Sequence, residues 1–362
     1  MPAPADDSRP VAIAVVGLGK MGIMHATMLR TLPGARVAAL VDNDAATARN
    51  VRSMGFNAPV FDSLETCLRA VQPDGVVVAT PQFAHRPLVQ MCIEQGVPVF
   101  TEKPMAHTLE DARAMAEAAR RRPDLPVAVG YQTAHNPLYA RAARLLRTGA
   151  IGTAKSFTAT CRLSQVFSPK KGWTFSKEGA GGGVLINSGC HLIHTLTMLF
   201  GKPRAVCARA TPIHNEVEDT FGALLDHGDG LWGMMQVTWS VPGHELQTND
   251  IEVIGTAGTL RVNNDELRLW LAREYLGRPA GWTVWRREEV EPRSPFTLSP
   301  EYCGDEFWLQ MKDFADAIRE RRTPRVGFDA ALGTQEILAA LYDSARDGRP
   351  VALGAAAAVD VR

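Results

Sequence analysis

The sequence predicts two domains: an α/β domain built on a parallel sheet, then an α+β domain with a large, mostly antiparallel sheet. Three observations predict this. In the first third, short apolar runs alternate with helical patterns, and the runs lack polar alternation, as in strands covered on both faces. After about Ile151, strand-like segments follow one another directly and alternate with period two. The 362 residues also exceed what one ordinary core organises. The boundary falls at 1–132 and 133–362, with the C-terminal helices free to pack back on the first domain.

The first domain begins with the apolar run Val11 to Val16, then a Gly-rich turn and a helical pattern through Leu29. Pro33-Gly34 breaks that helix, and the next run, Val37 to Val41, ends at Asp42. Gly75 to Ala79, Val97 to Phe100 and Val127 to Val129 read as further strands. Helical patterns at Ser63–Val71, Arg86–Gln95 and Thr108–Arg121 separate them, the last opened by a capping pair, Thr108 and Asp111. In the second domain, Leu231, Gly233, Met235, Val237 and Trp239 alternate with Gln236, Thr238 and Ser240, a half-buried strand over Leu231 to Val241. Asp226-His227-Gly228-Asp229-Gly230 joins it to Thr220–Leu225 as a hairpin, and Gly255-Thr256-Ala257-Gly258 joins Ile251–Ile254 to Thr259–Val262. Val184 to Phe200 carries Asn187, Ser188, His191 and His194, so it reads as a buried helix with a polar face rather than a membrane span. Two final helices place Phe307, Trp308, Met311, Phe314, Ala315 and Ile318 on one face, and Ile337, Leu338, Leu341 and Ala345 on another. Trp232 and Met234, on the second face of their strand, suit a subunit interface.

Composition excludes several function classes. Lys+Arg and Asp+Glu both number 39, and the one short basic cluster, Arg120-Arg121-Arg122, ends a helix where cations suit the dipole, so nucleic acid is not expected. The six cysteines are scattered without a Cys-x-x-Cys pair, which fits a reducing cytoplasm and no disulfide framework. Met1 to Pro10 lacks the basic-then-apolar pattern of a signal peptide.

Gly17-Leu18-Gly19-Lys20-Met21-Gly22 is a G-x-G-x-x-G turn between a strand and a helix. Gly17 permits the tight turn, Gly19 admits a pyrophosphate, and Gly22 lets helix and sheet pack closely. The helix N-terminus, with Lys20 and Met21, then offers N–H groups and a positive dipole end to phosphate. Asp42 lies 20 residues beyond the third glycine and can accept hydrogen bonds from ribose hydroxyls. A 2′-phosphate would meet its carboxylate, so NAD is expected over NADP. Thr80-Pro81 and Glu102-Lys103-Pro104 close two later strands, where such sheets bind ligands. Lys103 is placed to orient a substrate hydroxyl and stabilise developing alkoxide. His85 is expected near the nicotinamide ribose. Tyr131, Gln132 and Trp173 are expected to border the substrate.

With Gly181-Gly182-Gly183, Gly189-x-His191 and Val253-Ile254-Gly255-Thr256-Ala257-Gly258-Thr259-Leu260, these motifs resemble the glucose–fructose oxidoreductase / inositol dehydrogenase / rhizopine-catabolism (Gfo/Idh/MocA) family from about Val11 to Leu353. Glu102-Lys103-Pro104 is the most specific of them. The resemblance implies a Rossmann domain, an open-faced antiparallel sheet domain, and homodimers or homotetramers built through that sheet. It implies that Glu102 contacts cofactor ribose, that Lys103 is catalytic, and that the Lys103–Pro104 peptide is cis. It places the general base at His191, whose imidazole titrates near neutral pH. Asn187, four residues earlier, shares its helix face and can hydrogen-bond a hydroxyl. Many relatives carry Asp at the positions of Asn187 and His194, while branches acting on sugar nucleotides or dihydrodiols carry Asn at the first. The family's Arg after Tyr131 is replaced by Thr133-Ala134-His135. His191 and His194 have metal-compatible spacing but no third ligand, so no metal is expected.

The expected function is NAD(H)-dependent interconversion of a secondary alcohol and a ketone on a small cyclic substrate: a sugar, cyclitol, sugar derivative or dihydrodiol. Lys103, Asn187 and His191 are expected to serve catalysis, and His194 to contact substrate. Two alternatives stand beside this reading: a non-catalytic NAD(H)-binding sensor or regulatory subunit, and NAD-assisted glycoside cleavage.

Overall fold

A computed structural model describes residues 9–243, 248–295 and 305–354. Most of the N-terminal segment Met1 to Pro10, together with Cys303 and the Ala355 to Ala358 tail, lies outside the described residues. The chain divides into two compact units, Met1–Tyr131 with Phe307–Leu332, and Gln132–Glu306 with Gly333–Arg362.

In the first unit six strands, β1 (Val11–Val16), β2 (Ala35–Val41), β3 (Val60–Phe61), β4 (Gly75–Val78), β5 (Val99–Thr101) and β6 (Val127–Val129), form a parallel sheet in the order β3-β2-β1-β4-β5-β6. The order reverses between β1 and β4, the switch point where open α/β sheets bind ligands beyond the carboxyl ends. Strands β1, β4, β5 and β6 are buried along their whole length, which is why they read as unbroken apolar runs. Between strands run α1 (Lys20–Thr31), α2 (Ala45–Ser53), α3 (Leu64–Val71), α4 (His85–Glu94) and α5 (Leu109–Arg120). Side chains cap three of these helices: Asp44 bonds the Ala46 and Thr47 amides, Ser63 that of Thr66, and Thr108 that of Asp111. The helix Asp305–Glu320 lays Phe314 and Ile318 over Gly75, where an added Cβ would meet Ile318 at 2.6 Å. The Trp308 indole donates to Thr31 at 3.2 Å, and the Val129 amide donates to the Val326 carbonyl at 3.0 Å. The 307–332 segment is thus part of the first unit's core. Two short elements, β3 and α2, have no counterpart in the sequence reading. Each buries too little to leave a periodic signature: β3 is two half-buried residues, and α2 buries only Val51.

The second unit holds a nine-stranded, mostly antiparallel sheet. Its strands are β7 (Ala154–Arg162), β8 (Ala205–Thr211), β9 (Thr220–Gly228), β10 (Leu231–Thr238), β11 (Thr248–Gly255), β12 (Gly258–Val262), β13 (Glu266–Leu271), β14 (Gly281–Arg286) and β15 (Val351–Ala352). Both expected hairpins are present, with Met235 opposite Ala223 and Ile251 opposite Val262. One pair, β7 with β10, is parallel. Strands follow one another directly from β8 to β14 and the helix expected at Val184 to Phe200 is present, so the expectation of direct succession from Ile151 needs correction only between β7 and β8. Helical segments, among them α7 (Lys177–Ala180) and α8 (Cys190–Phe200), intervene between β7 and β8, after α6 (Pro137–Arg147) has preceded the sheet. They are needed because one face of the sheet is apolar and must be covered. Stacked Phe157 and Phe200, 4.5 Å between centroids, are one such contact between β7 and α8. The stretch Lys177–Phe200 passes the length and hydropathy test for a membrane span, yet 78% of its apolar window is buried inside the protein.

Register defines the opposite face. Trp232 lies across from Ser156, Ser156 from Ile254, Ile254 from Thr259, Thr259 from Trp270, and Trp270 from Trp282. Trp232, Ile254, Trp270 and Trp282 on this row are 38–55% exposed, and Met234, Leu224 and Val284 beside it are 44–49% exposed.

Candidate active site

The phosphate-binding turn forms where β1 meets α1. Gly17 has φ +85, and its missing Cβ would lie 2.7 Å from the Ala79 carbonyl oxygen. At Gly22 a Cβ would lie 1.8 Å from the Gly17 carbonyl oxygen. Gly19 differs: nothing stands within 4 Å of its Cβ position. Gly19 is the N-cap of α1, no side chain caps that helix, and its first turn holds no acidic residue. The turn is therefore tight where it touches protein and open where a phosphate would approach, so these residues fit a dinucleotide. Lys20 is exposed and Met21 half-buried at the same helix start. Asp42, just past β2, accepts from the Leu18 amide at 2.7 Å and from the Asp44 amide at 2.9 Å. Those bonds fix its carboxylate beside the turn while leaving lone pairs for ribose hydroxyls.

The ends of β4 and β5 neighbour that turn in the sheet order, and His85 ties them together. Its Nε2 lies 3.0 Å from the Thr80 carbonyl and its Nδ1 3.1 Å from the Pro104 carbonyl. It is 1% exposed. Burial lowers its pKa, against the pull of the Thr80 and Met105 carbonyls; a neutral ring carries one N–H and donates to one of the two segments, while its other nitrogen packs against the second. Thr80 and Pro81 are half-buried. The Lys103–Pro104 peptide is cis.

Glu102 is 5% exposed, and both its oxygens are engaged: one lies 2.7 Å from His25 Nε2, the other accepts the Lys103 amide at 3.0 Å. Burial works to raise its pKa. The hydrogen bond from His25 and the charges of His25 and Lys103 outweigh burial and hold the carboxyl below its usual range. Glu102 thus braces the backbone that presents Lys103, which is half-buried. His25 carried no sequence signal of its own. Its partner is 77 residues away, so only the fold pairs them.

In the second unit, Asn187 and His191 sit on a helix that opens with a π-turn, Leu185–Gly189, and continues as α8. The four-residue spacing gave no hint of this wider turn. π-turns occur often at functional sites. Asn187 is half-buried and His191 4% exposed. His194 is 6% exposed, and its Nδ1 lies 2.9 Å from the Thr334 hydroxyl. Burial, helped by nearby His135, pushes its pKa down to about 3, so this imidazole is neutral. Trp173 is 47% exposed, on a short 3₁₀ turn. Gln132 is half-buried, whereas Tyr131, at the end of the first unit, is fully buried. Thr133, the first of the three residues that stand in place of the family's arginine, accepts from the Thr195 hydroxyl of α8 at 3.2 Å.

The two glycines before the π-turn have a steric reason. A Cβ at Gly182 would lie 2.0 Å from the Tyr342 hydroxyl, and one at Gly183 would lie 2.1 Å from the Glu218 carbonyl oxygen. Among the described residues, no group of three or more His, Cys, Asp or Glu side chains is placed to hold a metal.

Comparison with known proteins identifies both parts of the chain. Residues 11–131 match the model described as "Oxidoreductase family, NAD-binding Rossmann fold", and residues 139–261 match the "GFO/IDH/MocA C-terminal domain". The chain is 26% identical over 356 residues to scyllo-inositol 2-dehydrogenase (NAD(+)) of Bacillus subtilis (strain 168), covering 95% of this chain and 96% of the relative. It is 29% identical over 351 residues to a D-apiose dehydrogenase of Paraburkholderia graminis, covering 94% and 89%. A solved structure of GenD2 from gentamicin A biosynthesis in complex with NAD is similar at TM-score 0.79 and 29% identity, covering 98% of this chain and 99% of that one. The chain belongs to the Gfo/Idh/MocA oxidoreductase family, with an NAD-binding Rossmann domain and the family's C-terminal domain.

Proposed function

We propose that this family member is a dehydrogenase that interconverts a secondary alcohol and a ketone on a small cyclic polyol or sugar, with NAD(H) as coenzyme. The observation that carries the reading lies in the first unit. The open turn at Gly19, the fixed Asp42 carboxylate and the braced Lys103 segment all stand at the carboxyl ends of neighbouring strands β1, β2, β4 and β5. The relatives' names support the substrate class: one acts on an inositol and another on the sugar apiose.

Gly17, Gly19, Lys20, Met21 and Gly22 would hold the pyrophosphate, and Asp42 the adenosine ribose, with NAD preferred over NADP because a carboxylate repels a 2′-phosphate. Thr80, Pro81 and Lys103 would border the nicotinamide half, with His85 and Glu102 fixing their backbone. The coenzyme, when bound, accepts or returns hydride. The Lys103 ammonium orients the substrate hydroxyl and lowers the cost of negative charge on its oxygen. His191 takes the hydroxyl proton and Asn187 hydrogen-bonds a neighbouring hydroxyl. Gln132, Trp173 and Tyr131 would shape the substrate side, and His194 would support the helix bearing His191.

The test is a panel of cyclitols and sugars followed by NADH absorbance, repeated with Lys103→Ala. Turnover on at least one compound is expected, with kcat reduced about 10²- to 10⁴-fold in the variant and NADH affinity nearly unchanged. A panel without NADH formation, or full turnover in the variant, overturns the assignment.

We also propose that the exposed apolar row of the second unit joins copies of this chain into a dimer or tetramer. Sedimentation should show an oligomer that Trp232→Lys shifts toward monomer. A monomeric parent protein rejects the proposal.

A further inference from the structure

The helix that carries Asn187 and His191 begins abruptly, and its start is held in an unusual way. The first four N–H groups of a helix have no partner within it. Here all four are taken by two residues from elsewhere in the second unit. The Gly183 amide donates to Glu218 Oε2 at 2.8 Å, and the Leu185 amide to Glu218 Oε1 at 3.0 Å. The Val184 amide donates to the Glu218 carbonyl at 2.9 Å. The Ile186 amide donates to the Tyr342 hydroxyl at 3.3 Å, and that hydroxyl donates to Glu218 Oε1 at 2.9 Å. The next amide, Asn187, bonds the Gly183 carbonyl at 3.1 Å, and the helix proper has started.

Glu218 and Tyr342 come from sites 35 and 156 residues away in sequence from the amides they bind. Glu218 is 7% exposed, so its carboxylate is not there for solvent. A buried carboxylate costs free energy unless fully bonded, and this one faces two amides and a hydroxyl. It also sits at the positive end of the helix dipole. A simple cap such as serine would satisfy one amide. This pair satisfies four and leaves no room for side chains at residues 182 and 183. The clamp therefore fixes the axial position and rotation of the π-turn that immediately follows. Asn187 is the third residue of that turn, and His191 follows one turn later.

We propose that Glu218 and Tyr342 are positioning residues: they fix the π-turn and thereby the aim of Asn187 and His191. The inference rests on the proposed roles of those two side chains, and the consequence is kinetic rather than merely structural. Loosening the clamp should let the helix start slide or rewind from π to α geometry. A shift of about 1 Å at a reacting group costs up to about 100-fold in rate.

The experiment uses the full-length protein with ¹⁵N- and ¹³C-labelled histidine, and assigns the His191 imidazole by comparison with His191→Gln. Tyr342→Phe and Glu218→Gln are then compared with the parent, the first being mild enough to keep the fold where the second does not. Both should move the His191 imidazole resonances while NADH affinity stays within about twofold. With a substrate in hand, kcat should fall at least about tenfold with KM within about threefold. Glu218→Asp, whose shorter carboxylate can still reach one amide, should recover part of the signal position. Unchanged His191 resonances in a folded Tyr342→Phe or Glu218→Gln variant overturn the clamp. NADH failing to bind the parent protein, or no substrate reacting, instead overturns the proposed function, while the His191 resonances still decide whether the clamp exists.

Discussion

Lys103 and His191 are held in opposite ways. The Lys103 segment is braced within the first unit by Glu102 beside it, by His85 at the start of α4 and, through Glu102, by His25 of α1. Its nearest contact, Glu102 accepting the Lys103 amide, lies within the Glu102-Lys103-Pro104 run itself. The His191 helix is braced by Glu218, Tyr342 and Thr334, which come from a distant strand connection and the C-terminal helix Phe328–Asp347. The difference teaches that one fold can hold an ammonium on a strand-end segment and an imidazole on a helix seated by long-range packing. The first arrangement should tolerate change at its open positions. The second should couple function to folding.

Mutations at the phosphate turn probe the first half most sharply. Gly22→Ala must displace the Gly17 carbonyl, which lies 1.8 Å from the new methyl. Unfolding free energy should drop by about 3 kcal/mol, as for severe overpacking, measurable by urea titration. Loss under about 0.5 kcal/mol would mean the turn is not packed as described. Gly19→Ala meets nothing within 4 Å, so stability should hold. NADH affinity should nonetheless fall about tenfold, or 1.4 kcal/mol, because the methyl occupies the phosphate's approach. Calorimetry finding unchanged affinity would break the claim that this turn faces the coenzyme.

A pH-dependent effect probes the second half. The His194 pKa is pushed down to about 3 in the folded protein from an ordinary value of 6.5. Above 6.5 the imidazole is neutral in both states and its packing contributes fully. As pH falls below 6.5 the unfolded chain takes up a proton that the folded one refuses, so stability is lost toward pH 3. The slope from this group is at most about 1.4 kcal/mol per pH unit. Chemical denaturation at pH 7, 6, 5 and 4 should show it, and His194→Leu should flatten it. An identical slope in that variant would place His194 in water rather than against Thr334.

The same contrast explains what could be read in advance. The buried strands of the first unit announce themselves because nearly every residue along them is apolar, Thr101 of β5 being the exception. The alternation of β10 fixes which side of the second sheet faces the helices, since side chains on a strand alternate by geometry. The three glycines, Asp42 and the Glu102-Lys103-Pro104 run are local, and local spacing is visible in one dimension. The strand β3, the π-turn at Asn187 and the residue pair His25–Glu102 were not readable. Short half-buried elements carry no periodicity, and a widened turn has no composition signature.

Sequence alone therefore determined the family, the pairing of a parallel-sheet Rossmann domain with a mostly antiparallel sheet, and the glycine turn between β1 and α1. Those depend on patterns within a few residues, enforced by backbone sterics and apolar burial. Only the tertiary structure decided that 307–332 completes the first unit, that Glu102 is shared between His25 and the Lys103 amide, and that Glu218 and Tyr342 seat the helix of Asn187 and His191. Each joins groups far apart along the chain, and buried hydrogen-bonding groups find their partners only once packing has excluded water.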